Sequence, residues 1–272
     1  MSGSIQSAMD LRFRHDESRD VTILAERRAG GLCHVSKPYW NGRTLALQLV
    51  NPTAGIFGGD ELQMRIELEK NARATLSCPS ANRFHAMKNA SARIEQDFVV
   101  GEGAWLDFRP EWVIPQQGSE VELVTRIEVA EGGRLVFGDL LAPGRVAHGE
   151  GLDFRFFGTR FELRVGGRLV VQERMELEPS RGAWPFKVPG WEHCFYGAWW
   201  LVNCPLGAEE IARIESLQNE GLKIGVSELD DKVMVIRLLA ARSLLLKKSS
   251  EALREELALL FPLLSREERL LT

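Results

Sequence analysis

Apolar and polar residues alternate along much of the first two thirds of the chain. Ile66-Glu67-Leu68-Glu69 and Ile127-Glu128-Val129-Ala130 are typical segments. This period of two is expected for a strand with one face on a core and the other in water. Such segments lead into four similar units, each a turn of small or polar residues followed by an apolar strand: Asn71-Ala72-Arg73-Ala74, Gly103-Ala104-Trp105-Leu106, Gly132-Gly133-Arg134-Leu135 and Gly166-Gly167-Arg168-Leu169.

The starts of these four turns are roughly 30 residues apart, which is a typical length for one unit of a repeat protein. Each unit buries its apolar face on the next, but the spacing is too irregular for an ideal solenoid. We therefore predict a mainly β fold, a layered and distorted β-helix-like stack of strands.

Helical periodicity is confined to the C-terminal third. Two helices are predicted there, at about 208–219, where the first turn is acidic, and at about 249–261, with Ser249 as the N-cap and Pro262 after the end. Between them, the β-branched residues of 222–228 and 232–239 favour a hairpin. Because no low-complexity linker divides the chain, we predict a single domain over residues 1–272.

Composition and charge exclude several classes of function. The chain has 272 residues, 44% of them apolar, and a net charge of −4. It has no basic stripe, so we expect no binding of nucleic acid. The most apolar window, residues 195–206, is short and interrupted by Asn203 and Pro205, which argues against a membrane span. The N-terminus lacks the apolar core of a secretion signal, so a cytoplasmic location is expected.

Familiar catalytic patterns are absent from the sequence. There is no P-loop, nucleophile elbow or His-Glu-x-x-His motif, and the five histidines are scattered. The four cysteines lack Cys-x-x-Cys spacing and are interpreted as free thiols. These observations favour a binding or carrier module over an enzyme.

A glycine-rich loop at residues 51–60 is the most informative segment. Gly55, Gly58 and Gly59 surround two apolar residues, and the loop ends at Asp60. Glycines permit a tight turn and close approach of another group, so the loop is a candidate metal or partner site. Alternatively it is a sharp connection between strands, with Asp60 accepting local backbone N–H groups.

Several motifs in one order resemble the urease accessory protein UreD (UreH) family. Besides this loop, they comprise Tyr39-Trp40, the strand at 45–50, the segment 75–84, Pro110-Glu111 with Pro115, the segment 139–150 that contains Gly144, Arg145 and Glu150, and Glu173-Arg174. Ala54 replaces a glycine of the family pattern, and His148 stands where an arginine is common.

The resemblance implies a β-helix-like fold with two helices and a non-catalytic role. Family members act as scaffolds that bind apo-urease together with UreF and the GTPase UreG and help to pass nickel to the urease active site. No tightly bound cofactor is therefore expected, only a nickel ion in transit.

Ligand chemistry suggests how such a route works. Ni²⁺ binds thiolate and imidazole strongly and isolated carboxylates more weakly, so a route that must release the ion favours spaced carboxylates. The candidates lie at or beside predicted turns: Asp60, Glu111, Asp139, Glu150 and Glu173. We hypothesise that Asp60, Asp139 and Glu173 face a water-filled interior passage or its mouth. The alternative is ordinary ion pairing, of Asp139 or Glu150 with Arg145 and of Glu173 with Arg174 or Arg168.

The C-terminal region contains more leucine than one helix face and one hairpin edge need. Leu253, Leu257 and Leu260 fall on one face of the second predicted helix. An excess of exposed leucine marks an interface, so we predict a UreF-binding surface here, with core packing as the alternative.

Two rival functions remain open at this point. A β-helix carbohydrate-active enzyme would use Asp139 and Glu173 as paired carboxylates and stack sugars on its tryptophans. The alternative explanation for the tryptophans is packing in the core. A structural interaction module would have the same fold and no metal role.

Overall fold

The computed structural model describes residues 4–110, 112–182 and 184–261. The strands are β1 (Gln6–Asp16), β2 (Val21–Ala29), β3 (His34–Val35), β4 (Tyr39–Asn41), β5 (Thr44–Val50), β6 (Glu61–Leu68), β7 (Arg73–Ser77), β8 (Asn82–Phe84), β9 (Ala92–Val100), β10 (Trp105–Arg109), β11 (Val113–Pro115), β12 (Glu120–Val129), β13 (Arg134–Leu141), β14 (Gly144–Arg145), β15 (Glu150–Gly151), β16 (Phe156–Val165), β17 (Arg168–Leu177), β18 (Phe195–Val202), β19 (Leu222–Asp230) and β20 (Val233–Ala240). The α-helices are α1 (Ala208–Glu215) and α2 (Ser243–Leu260), and short 3-10 helices span Val146–His148 and Pro179–Arg181.

The chain winds between two sheets like a solenoid. One sheet has seven strands in the order β17-β16-β12-β9-β6-β1-β2, and the other follows the path β19-β20-β18-β13-β10-β7-β5-β3. Neighbouring turns pair in parallel in both sheets, as in β6 with β9 and β7 with β10. The predicted β-helix-like stack is confirmed, with about four turns.

Three of the four repeated turns carry the chain from the first sheet to the second. The turns at 71, 103 and 132 connect β6 to β7, β9 to β10 and β12 to β13. The fourth differs from the prediction, because Gly166 and Gly167 both have positive φ and close an antiparallel hairpin between β16 and β17. The hairpin keeps the chain in the first sheet and ends the solenoid there.

The return connections form a short third stack of parallel segments. Ile56 of the glycine loop bridges Phe84 in β8, and β8 pairs in parallel with β11. This stack lies on the edge of the solenoid where the chain passes from the second sheet back to the first.

The main core lies between the two sheets. Phe108 and Phe137 stack with centroids 4.9 Å apart, and Phe98 from the facing sheet meets both edge-on. These contacts explain the alternation seen in the sequence, because inward-facing positions of each strand are apolar and outward-facing positions are polar.

A second core covers the outer face of the larger sheet beneath α1 and α2. Trp199 lies in this second core and Trp200 in the first. The apolar window at 195–206 is therefore mostly β18, which is buried on both faces. No helix among the described residues is long and apolar enough to span a membrane.

The C-terminal elements partly match the prediction. The hairpin is confirmed as β19 and β20, and α1 ends at Glu215 rather than at about 219. Helix α2 begins at Ser243, six residues before the predicted start. Ser249 is buried inside α2 and is not its N-cap.

Candidate functional site

Three charged side chains occupy inward-facing positions where the strand pattern calls for apolar residues. In β13, Leu135, Phe137 and Leu141 point into the main core, and Asp139 shares their face. By the same alternation, Glu173 in β17 follows Val171, and Arg237 in β20 follows Val235.

Strand register brings these residues together. Asp139 pairs with Ala198, and Ala198 pairs with Arg237, so all three lie in one row of the larger sheet. Glu173 pairs with Phe161 in the other sheet. The two rows line opposite sides of a cavity of about 540 Å³ between the sheets.

The polar contacts in this cavity are unequal for the two carboxylates. Arg237 forms an ion pair with Glu173 and lies over the Trp200 ring, 5.4 Å from its centroid. Among the described residues, no basic side chain forms an ion pair with Asp139. Burial raises the pKa of Asp139 to about 6, and repulsion by Glu173 adds to this effect against a backbone hydrogen bond from Leu140. Of the two carboxylates in this cavity, Glu173 has a basic partner and Asp139 has none among the described residues.

The donor set of this cavity suits a cation that is held briefly. Asp139 and Glu173 supply carboxylate oxygens and Tyr196 supplies a phenol, while Arg160, Arg174 and Arg237 also line the cavity. Among the described lining residues there is no histidine or cysteine. The set therefore lacks the imidazole and thiolate ligands that bind first-row divalent metals most firmly.

Of the ion pairs named as the alternative, that of Glu150 with Arg145 forms, while those of Asp139 with Arg145 and of Glu173 with Arg174 or Arg168 do not. Arg174 pairs with Glu176, Arg168 with Asp230, and Arg145 with Glu150. Glu173 is paired, but by Arg237 from a strand more than sixty residues further along the chain. Sequence reasoning missed Arg237, although an arginine at an inward position of an apolar hairpin strand was an available signal.

Asp60 does not line this cavity. It is 3% exposed, and its two carboxylate oxygens accept hydrogen bonds from the backbone N–H groups of Ile5 and Phe57, each at 2.8 Å. These contacts match the alternative given for Asp60, in which it accepts backbone N–H groups, because both oxygens fix the glycine loop to the residue before β1.

Of the other two predicted carboxylates, Glu150 is absent from the lining of this cavity. Glu150 accepts two hydrogen bonds from the Arg145 guanidinium, which hold its pKa below the usual value. Glu111 lies outside the described residues.

The predicted loop glycines have a local structural role. A Cβ on Gly55 would lie 2.5 Å from Nε2 of His85 and 2.6 Å from the carbonyl oxygen of Arg83. The glycine loop therefore packs directly against β8 and the residue after it. A Cβ on Gly58, Gly59 or Gly144 would likewise lie close to atoms of other segments of this chain.

The predicted partner surface on α2 is mostly buried. Leu253 and Leu257 are 0% and 1% exposed and belong to the second core, so they are unavailable to a partner. Leu260 is 36% exposed. Leu253 and Leu257 therefore agree with the alternative that these leucines pack in the core.

The surroundings of several tryptophans and of the cysteines are those of structural residues. Trp105, Trp184, Trp199 and Trp200 are buried in the two cores, in agreement with core packing. All four cysteines are free, and burial raises the pKa of Cys204 to about 12. No group of three or more histidine, cysteine or acidic side chains placed to hold a metal occurs in the part of the chain described.

Comparison with known proteins gives a consistent result. The family described as UreD urease accessory protein matches residues 6–270. A urease accessory protein UreD of Opitutus terrae is 36% identical over 233 residues, covering 84% of this chain and 86% of that protein. The UreD of Acetivibrio thermocellus is 32% identical, covering 62% of this chain and 66% of its own length. For the UreD of Klebsiella aerogenes the identity is 29%, and 64% of each chain is covered.

Proposed function

Because the chain belongs to the UreD urease accessory protein family, we propose that it conveys nickel toward the urease active site through the cavity at Asp139 and Glu173. It acts without catalysing a reaction, as a cytoplasmic scaffold that binds apo-urease together with UreF and the GTPase UreG. A role in urease maturation follows from the family itself; the nickel route and the named partners are the proposal.

The observation that carries the proposal is the position of Asp139. A carboxylate on the inner face of a central strand, without a basic partner among the described residues, is costly to bury unless a cation or water compensates it. The pKa of about 6 leaves it largely ionised at neutral pH. A hydrated divalent ion supplies the missing positive charge.

Glu173 and Arg237 give this cavity a means of release. With no ion present, Arg237 neutralises Glu173. An arriving cation competes with Arg237 for the Glu173 carboxylate, and the re-formed ion pair favours departure of the ion. Carboxylates and water exchange at nickel more readily than a chelating set of thiolates and imidazoles would.

Reconstitution tests the proposal. Apo-urease is incubated with nickel, UreF and UreG, with and without this chain, and both urease activity and co-purification are measured. We expect the four proteins to co-purify and activation to depend on this chain. Activation that proceeds equally well without it, or failure of the chain to bind any of the three, would refute the proposal.

A further inference from the structure

A second cleft of about 640 Å³ lies beside the third stack of the solenoid, apart from the Asp139–Glu173 cavity. Five separate parts of the chain line it: β8 with the residue after it, β11 with its flanking residues, Ala142 with residues 144–148, Phe195 at the start of β18, and the start of α2. The two cavities share no lining residue. We call this second site the basic cleft.

The charge of the basic cleft is opposite to that of the whole chain. Its described lining includes Arg83, Arg145 and Arg242, together with His85 and His148, and contains no aspartate or glutamate. The charge of Arg145 is balanced by Glu150, while Arg83 and Arg242 are exposed. A local positive site on a chain of net charge −4 favours a negatively charged ligand.

The floor of the cleft is apolar. Trp112 and Phe195 meet edge-on with centroids 5.7 Å apart, and Ile114, Ala142 and Val146 complete the surface. A small inorganic anion would leave this floor in contact with water. The combination of apolar floor and cationic rim matches a ligand that carries an apolar side chain beside a carboxylate.

The walls are held in place before any ligand arrives. The His85 ring stacks on Phe57 with centroids 4.5 Å apart, and its Nε2 lies 3.1 Å from the carbonyl oxygen of Ala54. Gly55 allows this close approach. The glycine loop, which the nickel route does not use, thus supports one wall of the cleft, and a preformed wall lowers the entropic cost of binding.

We propose that the basic cleft docks an acidic peptide segment of a partner protein in the maturation assembly, with an apolar side chain on the Trp112–Phe195 floor and carboxylates at Arg83 and Arg242. The inference rests on the proposed role as a scaffold, and it is independent of the path taken by nickel.

Site-specific cross-linking tests this docking. The photoreactive residue p-benzoylphenylalanine replaces Ala147, an exposed residue on the rim, and the full chain is irradiated in complex with apo-urease, UreF and UreG. Mass spectrometry should find the linked segment to be acidic, with at least one large apolar residue. Linkage only to a second copy of this chain, to a neutral or basic segment, or to nothing would overturn the proposal.

Charge reversal gives a second measurement. Arg83→Glu with Arg242→Glu should weaken binding of the linked partner about tenfold or more and abolish the cross-link. The lysine versions should bind nearly normally, which separates lost charge from misfolding. Arg14→Glu with Arg28→Glu makes the same change of net charge on exposed strand positions far from the cleft. An equal loss in this control would reduce the effect to overall charge and refute a specific cleft.

Two further results separate the alternatives. Inorganic phosphate at constant ionic strength should not displace the cross-linked segment; displacement would indicate a small-anion site and reject peptide docking. Asp139→Asn with Glu173→Gln should leave the cross-link unchanged while nickel loading falls. Failure of the nickel route and failure of the docking site are therefore distinguishable.

Discussion

Asp139 is the only residue on the inner face of β13 that is not apolar. Its pKa of about 6 in the folded protein lies above the value of 3.8 for an unperturbed aspartate. The folded state therefore binds the proton more tightly than the unfolded state, so this residue makes the protein less stable as pH rises from 4 to 6. A carboxylate that lowers stability at this position supports the proposed functional role.

Asp139→Asn should consequently stabilise the protein at neutral pH. The expected gain in the free energy of unfolding is on the order of 2 kcal/mol above pH 6, and it should vanish toward pH 4, where the wild-type carboxyl is protonated. Urea unfolding at a series of pH values measures this difference. A variant that is less stable than wild type at neutral pH would show that the charge has a stabilising partner.

At Gly55 the packing of the glycine loop against β8 leaves no room for a side chain. Gly55→Ala should cost about 1–3 kcal/mol of stability, because the added methyl group meets His85 and the Arg83 backbone. Gly30→Ala is the matched control, since nothing lies within 4 Å of a Cβ there. Thermal unfolding of both variants checks this expectation, and equal stability of the two would contradict it.

At the scale of elements, α2 is fixed to the solenoid by a buried charge cluster. Asp107 in β10 is fully buried, and two nitrogens of the Arg254 guanidinium on α2 donate to its oxygens at 2.9 and 2.8 Å. Arg109 donates to the same carboxylate. Burial alone would raise the pKa of Asp107, but the two arginines outweigh it, and the pKa lies below its usual value.

Arg254→Met should destabilise the protein by about 2–3 kcal/mol, because it removes two charge-assisted hydrogen bonds from a buried carboxylate and leaves Arg109 beside it. Arg213→Met breaks the exposed Arg213–Glu256 pair between α1 and α2 and should cost less than about 1 kcal/mol. Hydrogen exchange should show lost protection in α2 for the first variant only. Comparable losses in both would indicate that the buried cluster has no special role.

Local sequence predicted most of the elements but not all of their boundaries. The alternation of 66–69 and 127–130 and the small-residue turns correctly indicated stacked strands. The sequence of the hairpin at Gly166-Gly167 resembles those of the other turns. It differs only because the strand that follows it, β17, stays in the first sheet. Ser249 resembles an N-cap, yet Leu246, and in part Leu245, pack in the second core, and α2 extends back to Ser243.

At the scale of the whole molecule, the site depends on which strands become neighbours. Asp139 and Glu173 were both chosen from the sequence, but their common cavity and the role of Arg237 depend on the register of β13, β18 and β20. No local pattern specifies that register. The contacts of Asp60 could not be predicted for a similar reason, since one of its two backbone partners, Ile5, is distant in sequence and only Phe57 is local.

The cavity also predicts a pH dependence of nickel transfer. Protonation of Asp139 competes with a bound cation, so transfer from this chain to apo-urease should slow as pH falls below about 6 and level off above it. Stopped-flow or quenched transfer of nickel, with the urease activation step corrected at each pH, measures this profile. The decrease in transfer rate below pH 6 should be missing in Asp139→Asn. If the decrease persists in that variant, it belongs to the titration of another group.

The nickel content of urease matured in the presence of Asp139→Asn with Glu173→Gln tests the central claim most directly. The matched control is Glu176→Gln, which removes a carboxylate of an exposed ion pair on the same strand as Glu173. We predict that both forms assemble with UreF, UreG and apo-urease, that the control gives fully loaded urease, and that the double variant gives urease with little nickel. Full nickel loading by a correctly assembled double variant would contradict the account.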